Sequence, residues 1–568
     1  MNLIDITSGD ELLDLKYGFF SIDIIKEANR IPHAELVFPD GSGASPDFNL
    51  SNAEHFAPGK IIELKLPSDE EGSNKKTIFK GLVVKHRIEK NKEVGRLVIE
   101  LRDPAFKLTK GRKSKVHQSP KGQVITDKEI IEKIIKDAQD TLGTQNAPLT
   151  VDMDETDTTV KHKELVQYYC TDWDFILSRA DVNGQLVFTE NGKLTIKKPL
   201  IEENSVTKGK KLSKTRDGKI YELEIEIDIS EQYSETKSYA WNIETHQVES
   251  EAVLEPQKEV VKNPDKTVEN IIKEKYMLSS IVSMAEHELK TWVNAKRTRE
   301  KLSLLKGTII LDGRDISPGD VIDINEIADR LDGKTIVTAV RHKIDRDGWK
   351  THIQFGLSAD WFAQQNRDII DVPAAGLLPA IQGLQLGIVE DYEKDPQNQF
   401  RVRVKIPALN PEGGGKEGIV WARLMAVDAG NRRGVYFYPE PGDEVVVDFF
   451  NNDPRQAVIL GSMHSASKPP PFSTTENNWE KGIVTKKGVM VAFDDENIAL
   501  KLGNKDDAGD EKQVVLIDQK EQKIMIADSI NKNTMILGKK GIQISCEKDI
   551  NIEAKGNVTI KGNIVDIN

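Results

Sequence analysis

Cysteine is nearly absent: the 568 residues contain two, Cys170 and Cys546. They fall in what read as different domains, so no disulfide framework is expected and a reducing compartment fits. Both read as core or surface thiols rather than chemistry. Long apolar runs are also missing, none approaching the roughly 18 residues of a membrane span. The opening MNLIDITSGDELLDLKYG has no basic stretch followed by an apolar one, so any export is expected to use a route other than a cleaved signal. Positive charge is in deficit, with 79 Lys and Arg against 92 Asp and Glu and a formal net charge of −13. That balance argues against nucleic acid as the main ligand. Recognisable Ser/His/Asp or Cys/His motifs are lacking, and Gly413-Gly414-Gly415-Lys416 has no following Lys-Ser/Thr to make a phosphate cradle, so it reads as slack.

What the chain does have is a register at its end. In GIQISCEKDINIEAKGNVTIKGNIVDIN, Ile542 and Ile544 are followed after eight residues by Ile550 and Ile552, then by Val558 and Ile560. An apolar pair repeating at that period predicts short strands stacked as a β-helix or fibre, with a plain antiparallel meander as the other reading. A single chain of this width would leave its Ile row wet and its edges unpaired, so a homotrimeric needle is expected, with these six residues as its core. The next level brings Asp566 and Asn568 into register while Ile564, Val565 and Ile567 fall out of it. The regular part is therefore predicted to end near Ile560 in a small apolar platform that docks another protein.

Upstream, IIELKL, IFKGLVVKHRIE and GRLVIELRD predict a small β-barrel before residue 110. The basic run Lys107, Lys110, Arg112, Lys113 and Lys115 reads as a solvated loop, an acidic partner being the other reading. A capping box of Thr126 and Glu129 opens a helix over 127–140, and Thr171 caps a second ending before Gly184. The second helix is expected to pack Trp173, Phe175, Ile176, Leu177 and Ala180 against a hairpin turning at Asn191-Gly192. A basic loop is expected at Lys208 to Arg216, a mobile connection between Val253 and Asn270, and a longer helix from Ser279 to Arg299. His342, Asp345, Asp347 and His352 surround a predicted hairpin, where they read as solvent-facing residues rather than metal ligands. Beyond the linker 371–383, five strands in some 80 residues suit an OB-type barrel, either a binding face or a spacer between subunits.

The stretch LVQYYCTDWDFILSRADVNGQLVFTENGKL, then VRVKIPAL, then WARLMAVDAGNRRGVYFYPEPGDEVVVDFFNNDPRQAVILGSMHSASKPPP resembles the VgrG, or Rhs-element Vgr, spike proteins of contractile injection systems. The likeness runs over essentially the whole chain. Its strongest parts are the Tyr-x-x-Thr-Asp-x-Asp-Phe helix with its hairpin and the Pro-Glu-x-Gly-Asp-Glu-Val run. It implies a mainly β chain with a few helices: a phage-baseplate hub-like region at 1–375, an OB-fold neck at 376–467, a linker at 468–480 and an intertwined needle at 481–568. It further implies a trimeric hub and spike that caps the inner tube and punctures a target envelope to deliver effectors. The implied partners are a PAAR-type tip protein docked at Ile564, Val565 and Ile567, inner tube and baseplate proteins, and effector cargo, with the target membrane met only on firing.

Three departures are informative. The needle uses Ile-x-Ile rather than Val-Gly pairs, and the sequence given has neither the enzymatic extension of some relatives nor a lysozyme insertion before the needle. No enzyme, cofactor or metal is therefore expected, and the protein is expected to be made in the cytoplasm and ejected or released with its particle. The competing reading is an OB-containing glycan-binding or peptidoglycan-hydrolysing protein. Type VI and free extracellular systems are both open.

Overall fold

The computed structural model describes the chain apart from residues 1–2, 10, 14–17, 42–46, 69–74, 92–93, 119–122, 142–147, 155–159, 200–210, 214–219, 243–244, 246, 254–272, 281–283, 285, 329–330, 367–368, 370–379, 410–417, 507–508 and 568. It divides into two compact units, Met1–Asp371 and Val372–Asn568, each taken by itself below.

The first unit is built on one sheet that curls around two cores. Its order runs Ile220–Ile227, Leu305–Asp312, Gly348–Phe355, Gly333–Asp345, Ser21–Glu27, His33–Pro39, Gly95–Arg102, Lys76–Lys90, Ile61–Leu66, Asp5–Ser8 and Glu11–Leu12. Strict alternation drives this, as in SIDIIKE, where every second side chain is buried. One core gathers Ile22, Leu36, Phe38, Leu64 and Phe79, the other Leu311, Ile322, Val340, Ile353 and Phe355.

A third core belongs to the helices. In α1, Asp127–Thr141, the residues Ile130, Ile131, Ile134, Ile135 and Ala138 lie on the buried face. The Glu129 carboxylate accepts from the Thr126 backbone N–H at 2.8 Å and the Glu129 N–H donates back to Thr126 Oγ1 at 3.3 Å, the predicted reciprocal cap. In α2, Asp172–Val182, Thr171 Oγ1 accepts from the Asp174 N–H, and Gly184 follows at φ +68°. Trp173, Phe175, Ile176, Leu177 and Ala180 share one core with Val187 and Leu194 of the hairpin. Its turn residues Asn191 and Gly192 both take positive φ, as a type I′ connection requires.

Two expectations need correction here. The third helix, α3, runs Glu286–Leu304 rather than from Ser279, because Lys275–Ser280 pairs in parallel with Glu235–Asn242 and a ladder partner outweighs helix propensity. The basic run is not a solvated loop. Lys107 is buried in a 3-10 turn, and Lys113 and Lys115 stand in strand Lys113–Gln118 with Asp172 and Asp137 as their partners. The mobile connection expected after Val253 and most of the loop from Lys208 to Arg216 lie outside the described residues.

The second unit begins with a closed five-stranded barrel. Its strands are β1 (Gln385–Val389), β2 (Val402–Lys405), β3 (Ile419–Leu424), β4 (Glu444–Phe449) and β5 (Ala457–Ser462), ordered β1-β2-β3-β5-β4. Strand β3 runs parallel to β5 and the other pairs are antiparallel. Val404, Val445, Val447 and Ile459 fill it. Gly413 to Lys416, read as slack, lie outside the described residues. After SKPPPFSTT come seven strands in sequence order: β6 (Glu480–Val484), β7 (Val489–Asp494), β8 (Ala499–Lys505), β9 (Glu511–Asp518), β10 (Lys523–Asp528), β11 (Asn533–Gly538) and β12 (Gly541–Ser545).

Candidate functional site

The β6–β12 sheet is an antiparallel meander whose register carries one chemical feature along its whole length. Because directly paired residues point to the same face, following the pairs from strand to strand traces columns of side chains. One column reads Ile483, Val491, Leu502, Val515, Ile526, Met535, Ile544. Beside it runs Phe493, Leu500, Ile517, Ile524, Leu537, Ile542. The first is apolar throughout, and the second is apolar from β7 onward, its place in β6 being taken by Lys481. The opposite face mixes charge with small and apolar groups, as in the column Ala492, Lys501, Leu516, Met525, Ile536, Gln543.

Within one chain the two-column face is open to solvent. Ile517 is 47% exposed, Ile526 51% and Ile542 69%. Fully burying an aliphatic side chain contributes about 1.5–3 kcal/mol, so covering thirteen half-exposed ones amounts to something on the order of 10 kcal/mol per chain.

The predicted pair Ile542 and Ile544 is thus the last rung of a ladder. Ile550, Ile552, Val558 and Ile560 lie beyond it, exposed and without ladder partners among the described residues. Ile564, Val565 and Ile567 are exposed as well. The eleven apolar residues upstream of Ile542 were missed as part of the same surface. Their signal was present in GVMVAF, IALKL, QVVLIDQ, KIMIAD and TMILG, but the turn lengths decide which of two alternating faces is shared.

Two of the six turns follow one recipe. Asp494 Oδ1 accepts from the N–H groups of Glu496 and Asn497, and Asn497 Nδ2 donates to Asp494 Oδ2 at 2.7 Å. Asp528 and Asn531 repeat the arrangement, again with 2.7 Å between the side chains. These Asn side chains hold both carboxyls below the ordinary Asp range. The residue that closes these two turns, and the turn between β9 and β10, adopts a left-handed conformation: Ile498 at φ +51°, Lys532 at +55° and Gln522 at +54°.

In the first unit the polar side chains that cluster are structural. Asp127 receives Arg179 Nε at 2.8 Å, Asn183 Nδ2 at 2.8 Å and faces His162 Nε2 at 3.2 Å. Burial alone would raise its pKa, but His162, Arg179 and Asn183 hold the carboxyl well below the usual range. Asp103 is buried where the 3-10 turn meets the hairpin, accepting from the N–H groups of Ala105 at 2.9 Å and Gly192 at 3.0 Å. Burial outweighs those bonds and pushes its pKa up to about 6. A cavity of about 610 Å³ is lined by Arg30, His33, Arg102, Arg112, Trp173 and Asp174 among others. Its arginines are already engaged: Arg30 by Glu27, Arg102 by Glu100 and Arg112 by the Ile369 carbonyl.

Of His342, Asp345, Asp347 and His352, Asp347 is exposed and Asp345 and His352 are partly so, but one departs from expectation. His342 is not solvent-facing but fully buried, 3.3 Å from Thr351 Oγ1 and beside the Trp349 ring. It stands on the buried face of its strand, in phase with Val340 and Ile344. Among the described residues no three His, Cys, Asp or Glu side chains gather to hold a metal ion, and no helix is long and apolar enough to cross a membrane.

Comparison with known proteins adds the following. The family model described as the Alg8 N-terminal domain matches residues 2–346, more than half of the chain. A second, described as the type VI secretion system/phage-baseplate injector OB domain, matches residues 385–464, the span of the closed barrel. The actin cross-linking toxin VgrG1 of Vibrio cholerae O395 is 30% identical over 121 residues, 21% of this chain and 10% of that protein. The type VI secretion system spike protein VgrG3 of Vibrio cholerae N16961 is 27% identical over 129 residues, 23% of this chain and 12% of that protein. The chain thus spans about a tenth of the length of the curated relatives it matches. A solved Escherichia coli protein, described as a component of the type VI secretion system, aligns over 81% of this chain and 99% of its own at 12% identity, with a TM-score of 0.39.

Proposed function

We propose, for a chain that belongs to the Alg8 N-terminal-domain family and to the VgrG-type spike proteins of contractile injection systems, the role of a trimeric hub and spike. In this reading residues 1–375 form the hub, 376–467 the neck and 481–568 the needle, with 468–480 as the joint between them. One observation carries it: a face of two apolar columns, thirteen side chains in all, that a single chain leaves in water. Three copies turning that face toward a common axis remove it from solvent, and Ile550, Ile552, Val558 and Ile560 continue it beyond the meander.

The role is mechanical rather than catalytic. What supports this is a first unit whose buried carboxylates are spent on backbone and arginine partners, as Asp103, Asp127 and Asp181 are. The activity in the name of the actin cross-linking relative belongs to a protein that matches this chain over a tenth of its length. The spike closes an inner tube, docks a PAAR-type tip through Ile564, Val565 and Ile567, is loaded with effectors, and leaves the cell with its particle when the sheath fires.

Light scattering on the full chain is the test. A species near three times the 63.6 kDa of one chain is expected, and a monomer at micromolar concentration refutes the reading. Ile552→Asp should open the needle locally to protease, because three buried carboxylates around one axis cost several kcal/mol per ion. A chain ending at Gly556 should stay trimeric yet lose the tip protein in a pull-down, and equal retention would move the docking surface elsewhere.

A further inference from the structure

We propose that the seam between two copies of the meander is charge-matched, the β6–β7 turn of one copy resting on the β7–β8 turn of a second copy so that Lys487 meets Glu496. This contact rests on the trimeric reading above and lies outside the apolar columns.

Successive turns of an antiparallel meander fall on alternate side edges. The β6–β7, β8–β9 and β10–β11 turns therefore lie along one edge, and the β7–β8, β9–β10 and β11–β12 turns along the other. The strands run crosswise to the stack, so when three copies turn their apolar columns toward one axis, the first edge of each copy faces the second edge of a neighbour. The two edges are different surfaces of one chain, which makes the contact head-to-tail, and it closes on itself at three copies.

At the base of the stack the two edges carry opposite surpluses. On the first, Lys486 is held by Glu440 at 3.0 Å, while Lys487 is exposed and has no charge partner among the described residues. On the second stand Glu480, Asp494, Asp495 and Glu496. Lys481 pairs with Asp495, and Lys520 donates to Asn497 Oδ1 at 3.0 Å, so four carboxylates meet two ammonium groups. Glu480 and Glu496 are exposed and have no charge partner among the described residues. Strand β7 thus starts beside a spare cation and ends beside a spare anion.

Those charges also choose the stagger between copies. The β7–β8 turn stands one strand above the β6–β7 turn and one below the β8–β9 turn, so strand spacing alone lets it face either one on a neighbour. The β8–β9 turn carries Asp506 and Asp510, which share Lys512 at 2.8 and 3.5 Å, and no cation among its described residues. Set against Asp495 and Glu496 it is repelled, whereas the β6–β7 turn is attracted. The apolar columns cannot make this choice, because each rung resembles the next and a slip of two strands keeps apolar against apolar.

Zero-length carbodiimide coupling of the full chain tests the contact. Within one chain the six residues of β7, at about 3.4 Å each, keep Lys487 and Glu496 about 20 Å or more apart, so an amide between them joins two copies. Covalent trimer, with a Lys487–Glu496 peptide in its digest, is expected. A particle that light scattering reports as trimeric but that yields no such peptide overturns the inference and leaves the assembly reading standing. Links from Glu496 to Lys512 in its place put the β8–β9 turn at the seam and overturn it as well. A monomer overturns both readings. Independently, Lys487→Glu should raise the concentration for half-dissociation about tenfold, because three exposed pairs change sign together. Adding Glu496→Lys should restore it, since matched reversals recover a direct pair. An unchanged midpoint in Lys487→Glu, or no recovery in the double variant, refutes the contact.

Discussion

Asp181 is a buried carboxylate on which three elements of the first unit converge. Its Oδ1 accepts from Arg299 Nε at 2.8 Å and its Oδ2 from the Phe362 N–H at 2.7 Å. Both Asp181 and Arg299 are buried, so the pair ties α2 to α3 and to the turn at Phe362 away from water. Asp181→Asn keeps the shape and removes the charge, which leaves the Arg299 guanidinium buried without its counter-charge. Breaking a buried pair from one side costs about 3–5 kcal/mol, whereas replacing both partners by apolar groups is often neutral or better. For a unit of some 370 residues, unfolding entropy near 2 cal/mol/K per residue turns about 4 kcal/mol into a fall of about 5 °C. Calorimetry should show the transition of the first unit falling by that amount while that of the barrel and meander stays put. The double variant Asp181→Asn with Arg299→Met should recover more than half of the loss. A double variant less stable than Asp181→Asn alone would refute the argument, since Arg299 would then not be the group left stranded.

Further outcomes follow from the same structure. Trp173→Ala should lower the melting of the first unit by about 3–5 kcal/mol, toward the lower end because one side of the ring borders the cavity; an unchanged calorimetric transition would remove Trp173 from the core. Ile498→Gly should stabilise the second unit by about 1 kcal/mol, since a β-branched residue is strained at φ +51° and glycine is not; a fall in thermal midpoint contradicts this. Asp103 has a folded pKa near 6 against 3.8 when free, so its ionised form is disfavoured by the fold and its contribution improves as pH drops from 7 through 6 toward 4. The gain is about 3 kcal/mol at most. About 1.3 kcal/mol of that gain falls between pH 7 and pH 5, so in Asp103→Asn the pH 5 minus pH 7 stability difference should shrink by about that much, and an unchanged difference denies Asp103 its part.

Much of this was legible residue by residue. Thr126 with Glu129, Thr171 before α2, and Asn191-Gly192 are short-range signals whose partners lie within a few positions, so local chemistry decides them. The failures share a longer range. Ser279 and Ser280 join a strand because Glu235–Asn242, some forty residues earlier, offers a parallel edge. His342 lies on the buried face of a sheet in which its ladder neighbour is Ile24 of strand Ser21–Glu27, more than three hundred residues away. The lysines at 113 and 115 find Asp172 and Asp137 only once a strand and two helices have come together. At the candidate site, period alone marked Ile542 and Ile544. Tracing their columns back to Ile483 requires knowing that each turn preserves the pairing of faces, which at two of the six turns Asp494 with Asn497 and Asp528 with Asn531 secure through side chains rather than through the hydrophobic pattern.

The meander has a mechanical polarity that its hydrogen bonds dictate. Its seven strands lie side by side, about 4.8 Å apart, so from β6 to β12 they stack through roughly 29 Å while each strand runs crosswise to that direction. Ladder bonds point along the stack. A thrust applied down it presses every N–H toward its carbonyl and puts all the ladders under compression in series, where none is the weak link. Tension does the opposite, because β12 is held by its ladder to β11 alone and can peel away rung by rung. A rod made this way resists being pushed far better than being pulled. The same geometry that withstands a push gives little resistance to being dismantled from its β12 edge.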